Sequence, residues 1–148
     1  MQVIIKVTRL NKHEYLPELK YATTGSSGVD LEADISEEVL LKPGQRCLVP
    51  TGIKLGLPHL VEGQIRPRSG IAMRHGVTVL NSPGTIDSDY RGEIQVLLIN
   101  LGQEDYLITK GMRIAQIIFS SYKLVEFTYV KSLEKTPRND GGFGSTGV

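Results

Sequence analysis

The chain has 148 residues and a formal net charge of +1, which suits one domain with a core that needs neither disulfides nor a structural metal. The near-neutral charge argues against a nucleic-acid surface, which normally needs a concentrated basic face. Three histidines and one cysteine do not make a usual zinc site. No signal peptide is visible and no apolar run approaches the ~20 residues of a membrane span. We therefore expect a soluble, cytoplasmic protein with no membrane partner.

Short apolar or alternating runs, separated by Gly, Pro, Asn and Asp, recur along most of the chain. Many short strands at this spacing indicate an all-β sandwich or barrel. The predicted strands are Val3–Val7, Val39–Leu41, Arg46–Leu57, Gln64–Arg66, Val77–Leu80, Ile94–Ile99, Ile114–Phe119 and Leu124–Val130. Helix is scarce, and the best candidate is one short turn over Gly70–His75 with Ser69 placed to cap it. Cys47 is expected to be a small buried hydrophobic residue.

The segment Asn81–Glu93 reads N-S-P-G-T-I-D-S-D-Y-R-G-E and is the most informative part of the chain. Two turn sequences followed by an apolar run predict a β-hairpin whose tip carries Asp87, Asp89 and Tyr90. A carboxylate on a rigid hairpin can orient and deprotonate water, and a nearby tyrosine can wall off a small pocket. The alternative is a polar turn in which both carboxylates only accept local backbone hydrogen bonds.

Other polar residues suit a phosphate ligand. Arg68, Ser69 and Gly70 open the predicted helical turn, and a guanidinium, a hydroxyl and backbone N–H groups there predict a phosphate cradle. An ordinary helix cap with a solvated arginine explains the same residues. Asp30, taken alone, is a turn or strand-edge carboxylate. Gln116 lies between apolar neighbours, and because a buried amide needs hydrogen-bond partners it either supports a neighbouring loop or faces a ligand.

The composition changes after Val130, where a Gly-rich tail begins. We therefore divide the chain into a β-rich core over residues 1–130 and a C-terminal arm over residues 131–148. Glycines contribute little to a packed core and are costly to order, as in a frayed terminus. The arm also holds a cation, a ring and two hydroxyls, which suit a lid that closes on an anionic aromatic ligand. These residues are Arg138, Phe143, Ser145 and Thr146.

Five segments, in their order along the chain, resemble the five motifs of the homotrimeric dUTP diphosphatase (dUTPase) family. They are Ser27–Leu31, Pro67–Ala72, Gly84–Glu93, Gly111–Gln116 and Arg138–Gly147. Three residues depart from the usual pattern: Val29 stands where an aromatic is common, Met112 where an acid is common, and Asn139 where a glycine is common. Only Asn139 bears on function, since it stiffens the hinge of the arm near Arg138.

The resemblance implies an all-β, jelly-roll-like barrel or sandwich of the β-clip type, with one short helix and a flexible C-terminal arm. It implies a homotrimer with shared active sites, in which the arm reaches over from a neighbouring subunit. The implied reaction is Mg²⁺-dependent hydrolysis of dUTP to dUMP and pyrophosphate by attack of water at the α-phosphate. Such an enzyme limits the incorporation of uracil into DNA and supplies dUMP for dTMP synthesis.

The resemblance also implies a role for individual residues. Two residues are implied to be catalytic: Asp87, the acid that activates the attacking water, and Gln116, which lies near the α-phosphate. Tyr90 lies against the deoxyribose and leaves no room for a 2′-hydroxyl, and Asp30 holds Mg²⁺ through water. Asp89 and Arg91 either take part directly or brace the hairpin. The remaining implied contacts are to uracil (Asn81, Gly84, Thr85, Ile86 and Phe143) and to the phosphates (Arg68, Ser69, Gly70, Arg138, Ser145 and Thr146), and Gly144 is also implied to bind substrate.

Three other functions are weighed against this one. A deoxycytidine triphosphate deaminase shares the fold, but the Pro67–Ala72 segment and the complete Gly-rich arm favour the diphosphatase. A non-catalytic nucleotide-binding or interaction module would be expected to lack Asp87 or Arg138, and both are present. A trimeric structural module without a ligand leaves the phosphate cradle and the arm unexplained.

Overall fold

The computed structural model of the chain describes residues 3–10, 18–145 and 147. Within these residues the chain forms strands almost throughout, with one short helix. The elements are β1 (Lys6–Arg9), β2 (Gly28–Glu32), β3 (Val39–Leu41), β4 (Arg46–Pro50), β5 (Ile53–Gly56), β6 (Val61–Arg66), α1 (Ser69–His75), β7 (Val77–Val79), β8 (Gly84–Ile86), β9 (Gln95–Asn100), β10 (Tyr106–Ile108) and β11 (Arg113–Ser121).

The strands pair in antiparallel fashion into four sheets within the described residues. The largest sheet has the order β2-β11-β6-β8, and a second has the order β4-β9-β7. Two smaller sheets pair β1 with β5 and β3 with β10. The longest strand, β11, has a partner on each side, so that Gln116 lies opposite Asp30 on β2 and Arg66 on β6. This pairing places segments that are far apart in the sequence side by side.

The sheets pack because their side chains alternate between buried and exposed positions. In β9, Val96, Leu98 and Asn100 are buried and the residues between them are not, as expected for a strand with one face on the core. Burying each Val or Leu of this kind stabilises the fold by roughly 1.5–3 kcal/mol. Side chains from both larger sheets and Ile71 of α1 belong to one hydrophobic cluster. The architecture is an all-β, jelly-roll-like sandwich.

Most of the predicted strands are confirmed, with shifts at their ends. The run Arg46–Leu57 forms two strands, β4 and β5, since the chain turns at Gly52 with a φ of 69° that favours glycine. Cys47 is half-buried against the core, and burial raises the pKa of its thiol. The short strands β8 and β10 were not predicted, although the equally short strand β3 was.

The predicted strand Leu124–Val130 is wrong: the structure assigns no strand after β11 in the described residues. A strand needs a neighbouring edge to satisfy its backbone hydrogen bonds, and among the described residues no strand of this chain pairs with it. The apolar side chains of the segment are exposed, namely Leu124, Val125, Phe127, Tyr129 and Val130. The chain therefore ends its strands at Ser121 and continues as an uncovered apolar segment.

The predicted hairpin over Asn81–Glu93 is also wrong in its pairing. Strand β8 pairs with β6 in the largest sheet, whereas β9 pairs with β4 and β7 in the second sheet. The acids and the tyrosine thus lie on a loop that crosses between two sheets. The local turn sequences do not reveal this, because the partner of a strand is chosen by contacts distant in sequence.

The helix is confirmed, but its predicted cap is wrong. Helix α1 begins at Ser69 itself, Arg68 occupies the N-cap position with extended backbone, and no side chain caps the helix. A cap residue must precede the helix for its side-chain oxygen to reach the first N–H groups, and Ser69 stands one position too late.

No helix in the described ranges has the length and apolar character that a membrane crossing requires.

One buried polar side chain ties the loop after β9 to the core. The Asn100 amide is fully buried, and its Nδ2 donates to the carbonyls of Leu41 at 2.9 Å and Glu104 at 2.8 Å. Its Oδ1 accepts from the N–H of Gly102 at 2.9 Å. Both ends of the amide are satisfied, so this side chain joins β9, β3 and the loop that leads to β10.

We expect Asn100→Ala to lower the free energy of unfolding by about 2–4 kcal/mol, because buried groups left without a partner cost about 1–3 kcal/mol each. Urea unfolding at a fixed protein concentration measures the change. Gln103→Ala, at an exposed position of the same loop, is the matched control and is expected to change stability by less than about 0.5 kcal/mol. Equal effects of the two substitutions would contradict the anchoring role of Asn100.

Candidate active site

A cavity of about 250 Å³ lies beside the loop that joins β8 to β9. Four of the predicted site residues, Thr85, Ile86, Asp87 and Tyr90, line it. Its complete lining is Leu48, Thr85, Ile86, Asp87, Tyr90, Glu93 and Gln95. The cavity therefore combines an acid, an aromatic ring and several groups that can form hydrogen bonds, which is the mixture expected of a small-ligand site.

The loop that carries the acid is held by hydrogen bonds of its own. The N–H of Tyr90 donates to the carbonyl of Asp87 at 3.2 Å. The Arg91 guanidinium donates from Nη1 to the carbonyls of Ser88 at 2.7 Å and Tyr90 at 2.8 Å. Arg91 thus braces the loop in this structure. The Asp87 side chain is exposed and can reach water at the mouth of the cavity.

Glu93, which the sequence did not single out, connects the loop to the body of the protein. Its carboxylate Oε1 accepts the N–H of Gly52 at 3.0 Å, and its carbonyl accepts the Tyr90 hydroxyl at 3.1 Å. The tyrosine ring is therefore folded back toward the end of its own loop. The sequence contained only a weak signal for this, an acid directly before the apolar strand β9.

A second group of predicted residues, the sheet-edge group of Asp30, Arg68 and Gln116, lies where the edge strand β2 of the largest sheet meets β11 and the loop after β6. The Asp30 carboxylate accepts from Nε of Arg68 at 2.8 Å and from Nη1 of Arg113 at 3.3 Å. Glu32 lies opposite Arg113 in the β2–β11 pair. Burial raises the pKa of the Glu32 carboxyl; the positive charge of Arg113 opposes this rise, and the negative charge of Asp30 adds to it. Asp30 thus acts as the anchor for Arg68, and Arg113 is a further cation that the sequence did not single out.

Gln116, on strand β11, supports the loop that carries Arg68. Its Nε2 donates to the carbonyl of Pro67 at 2.8 Å, directly before Arg68. A Cβ added to Gly28 on the neighbouring strand would overlap Oε1 of Gln116, so this glycine leaves the space in which the amide lies. Gln116 therefore supports a neighbouring loop, while its role toward a ligand stays a prediction.

Ser69 and Gly70 occupy the first turn of α1 beside this group. The Ser69 side chain is exposed, and Gly70 is half-buried. The Arg74 guanidinium folds over Gly70, since a Cβ added there would lie 3.1 Å from Nη2. Burial raises the pKa of the nearby Tyr106 hydroxyl, against the influence of Arg68 and Arg74. Several guanidinium groups thus surround the start of the helix.

Among the residues predicted to face uracil, Gly84 is closely packed. Gly84 is buried on β8, opposite Ile65, and a Cβ there would lie 3.3 Å from Cβ of Ile65 and 3.4 Å from Nδ2 of Asn81. Asn81 is exposed and its side-chain amide points toward Gly84. There is therefore little space for a side chain at position 84.

The described residues of the arm lie apart from both groups. Nε of Arg138 donates to the carbonyl of Gly141 at 2.9 Å, and the N–H of Ser145 donates to the carbonyl of Gly142 at 3.0 Å. Phe143 is fully exposed to solvent, and Gly144 is exposed. Thr146 lies outside the described residues. In the single chain the arm forms local turns, and the described part makes no hydrogen bond to the core.

The predicted residues therefore form three separate groups. Asp87 and Tyr90 line the cavity. The sheet-edge group consists of Asp30, Arg68 and Gln116, and the arm lies apart from both. None of the sheet-edge residues is among those that line the cavity. The cavity also includes Leu48 and Gln95, which the sequence did not identify because ordinary strand residues carry no chemical signal.

Comparison with known proteins gives the family. The dUTPase family model matches residues 14–147 of the chain. Deoxyuridine 5'-triphosphate nucleotidohydrolase from Rickettsia canadensis is 60% identical over 129 residues, which cover 87% of each chain. The enzyme of the same name from Rickettsia bellii is 54% identical over 145 residues, covering 97% of this chain and 95% of that one.

Solved structures show the same fold at much lower identity. A point mutant of the phage 80α dUTPase superposes with a TM-score of 0.86 at 22% identity, covering 98% of this chain and 99% of that one. A point mutant of the dUTPase from phage φ11 of S. aureus, described with a structural Mg(II) ion, has a TM-score of 0.78 at 18% identity, covering 89% and 99%. The family match spans most of the chain, and the chain belongs to the dUTPase family.

Proposed function

We infer that the chain is a dUTP diphosphatase, which hydrolyses dUTP to dUMP and pyrophosphate. The observation that carries this function is that Asp87 and Tyr90 line the same cavity, within a segment matched to the dUTPase family. The reaction removes dUTP, limits the incorporation of uracil into DNA and supplies dUMP for dTMP synthesis. We place it in the cytoplasm, where these nucleotides are used.

Asp87 is proposed to act as the general base on the attacking water. Its carboxylate accepts one proton as the water oxygen forms a bond to the α-phosphorus. The bond from that phosphorus to the oxygen that bridges the α- and β-phosphates breaks, and pyrophosphate leaves with the electron pair. The exposed Asp87 side chain on a braced loop supports this role, since a positioned base typically contributes about 10²–10⁴-fold.

Specificity is proposed to come from the cavity wall and the β8 segment. Tyr90 lies against the deoxyribose, so that a 2′-hydroxyl has no space. The backbone of Asn81, Gly84, Thr85 and Ile86 hydrogen-bonds the uracil edge, and cytosine presents a donor where uracil presents an acceptor. Because a buried group left unpaired is costly, such a site discriminates strongly. A C5-methyl group on the base is proposed to be rejected by steric overlap with this segment.

The triphosphate is proposed to lie along the guanidinium-rich sheet edge. Arg68, Ser69 and Gly70 contact its phosphates, with Gln116 near the α-phosphate. The anchoring of Arg68 by Asp30 at 2.8 Å and of Pro67 by Gln116 at 2.8 Å supports a cradle whose geometry is set before the ligand binds. Preorganised charge of this kind is the main contribution of a protein to phosphoryl transfer.

Mg²⁺ is the proposed cofactor, and the donor set of the chain suits an ion held mainly by substrate. Within the described residues there is no group of three or more His, Cys, Asp or Glu placed to hold a metal, and Mg²⁺ commonly binds substrate phosphates and keeps several waters. The Asp30 side chain is 27% exposed and retains lone pairs for such waters. When bound, Mg²⁺ neutralises triphosphate charge and polarises the phosphoryl oxygens.

We propose a homotrimer in which the three groups of site residues meet. The uncovered apolar segment from Leu124 to Val130, together with Leu133, supports burial against a second copy. The arm, residues 131–148, then closes over the site of a neighbour, while the core, residues 1–130, forms the body. In the closed arm, Arg138, Ser145 and Thr146 contact phosphates, and Phe143 stacks on uracil beside Gly144. Asn139, with a φ of 46°, lies at the hinge.

Product analysis tests the function. Anion-exchange chromatography follows dUTP, dCTP, dTTP and UTP, each offered separately with Mg²⁺. We expect dUMP and pyrophosphate from dUTP, and little change in the other nucleotides. Release of ammonia from dCTP would indicate a deaminase instead. No turnover of any nucleotide would contradict the catalytic function and leave a binding module.

Asp87→Asn is expected to lower kcat for dUTP by about 10²–10⁴-fold, because the amide cannot accept the water proton. Binding of dUTP should change little, and isothermal titration calorimetry with the variant measures it. Asp105→Asn, an equally exposed position outside the cavity, serves as the matched control. Near-normal turnover by Asp87→Asn would remove Asp87 from the mechanism.

Deletion of residues 138–148 is expected to reduce kcat/KM for dUTP on the order of 10²–10³-fold, since the site loses a cation and its water-excluding lid. The described arm residues make no hydrogen bond to the core, so the melting temperature should change by less than about 2 °C. Kinetics and thermal melting measure both. Glu134→Ala, exposed and upstream of the deletion, is expected to retain activity. Unfolding of the truncated chain would show that the arm is structural.

A further inference from the structure

The loop from β8 to β9 contains a glycine that lies under the Tyr90 ring. A Cβ added to Gly92 would overlap the Tyr90 hydroxyl and Cζ, and it would lie 2.9 Å from Cε2. Real Cβ atoms essentially never approach other atoms this closely. The atoms in the way belong to a stiff aromatic ring, so the ring as a whole must move if residue 92 carries a side chain.

The backbone at Gly92 does not itself require glycine. Gly92 is not among the glycines with positive φ, unlike Gly52 and Gly111, so an alanine can adopt its backbone conformation without strain. The need for glycine at this position therefore arises from the ring alone. This separates Gly92 from the turn glycines, whose role is conformational.

A hydrogen bond holds the ring in the position that Gly92 leaves open. The Tyr90 hydroxyl donates to the Glu93 carbonyl at 3.1 Å, and the Glu93 carboxylate is in turn tied to the N–H of Gly52 at 3.0 Å. The ring is 43% exposed, so packing against the core does not hold it. Its position at the cavity wall depends on the space above Gly92 and on this anchor.

We propose that Gly92 is a specificity-determining residue, which positions the Tyr90 ring so that the cavity excludes a ribose 2′-hydroxyl. This inference rests on the proposed function, in which Tyr90 forms that wall. A methyl group at position 92 displaces the ring from its anchor on the Glu93 carbonyl. The displaced ring no longer occupies one fixed position beside the sugar, and space for the 2′-hydroxyl becomes available.

The test compares kcat/KM for UTP and dUTP in Gly92→Ala. We expect the ratio of UTP to dUTP to rise on the order of tenfold, within the roughly hundredfold that shape alone usually achieves against an added hydroxyl. Gly25→Ala is the matched control, because nothing lies within 4 Å of an added Cβ and its φ is not positive. It is expected to leave the ratio unchanged. An equal loss of both activities in Gly92→Ala, or an unchanged ratio, overturns the proposal.

A double-mutant cycle separates positioning of Tyr90 from general loop damage. If Gly92 acts through the ring, Gly92→Ala raises the ratio in the wild-type background and leaves it unchanged in a Tyr90→Ala background. The same rise in both backgrounds overturns the proposal. Should Gly92→Ala lose its thermal unfolding transition, Tyr90→Phe tests the same arrangement by removing only the anchoring hydroxyl, and an unchanged ratio there overturns the proposal.

The wild-type enzyme distinguishes this inference from the proposed function. If it does not hydrolyse dUTP, the proposed function itself fails. If it hydrolyses dUTP, rejects UTP and keeps that preference in Gly92→Ala, only the role of Gly92 fails.

Discussion

The antiparallel pairing of β11 with both β2 and β6 is the constraint on which the sheet-edge site depends. Because Gln116 lies opposite Asp30 and Arg66, three distant segments of the chain meet at one place. The Gln116 amide then holds Pro67, and Asp30 holds the next residue, Arg68. A shift of β11 by one residue would turn Gln116 to the opposite face of the sheet and release both contacts.

The cavity depends instead on the loop between β8 and β9, which crosses from one sheet to the other. Strand β8 ends in one sheet and β9 begins in the other, so the acid and the tyrosine lie where the sheets separate. Local hydrogen bonds from Arg91 and Tyr90 compensate for the absence of a strand partner in this loop. A rigid loop at an opening between sheets can present a carboxylate to water without burying it, which keeps the carboxylate available as a base.

In the single chain, the other described residues leave one apolar segment and the arm largely exposed. The apolar segment from Leu124 to Val130 is exposed, and the described arm residues bond only among themselves. The cost of leaving apolar surface in water is relieved when copies associate. In the proposed trimer this association also brings the arm to a neighbouring site. Burial of the apolar segment would then drive both assembly and completion of the active site.

The sequence alone determined the all-β class, most strands, the short helix and the types of side chain available to the candidate site. Alternation of side chains, as in β9, and the presence of Asp87, Tyr90 and Arg68 are properties of the residues themselves. Strand pairing is not, since it depends on contacts between distant residues; the predicted hairpin and the strand over Leu124–Val130 were therefore wrong. Only the tertiary structure placed Glu93 and Gly92 beside the Tyr90 ring. A glycine that makes room for a neighbour looks, in a sequence, like any other turn glycine.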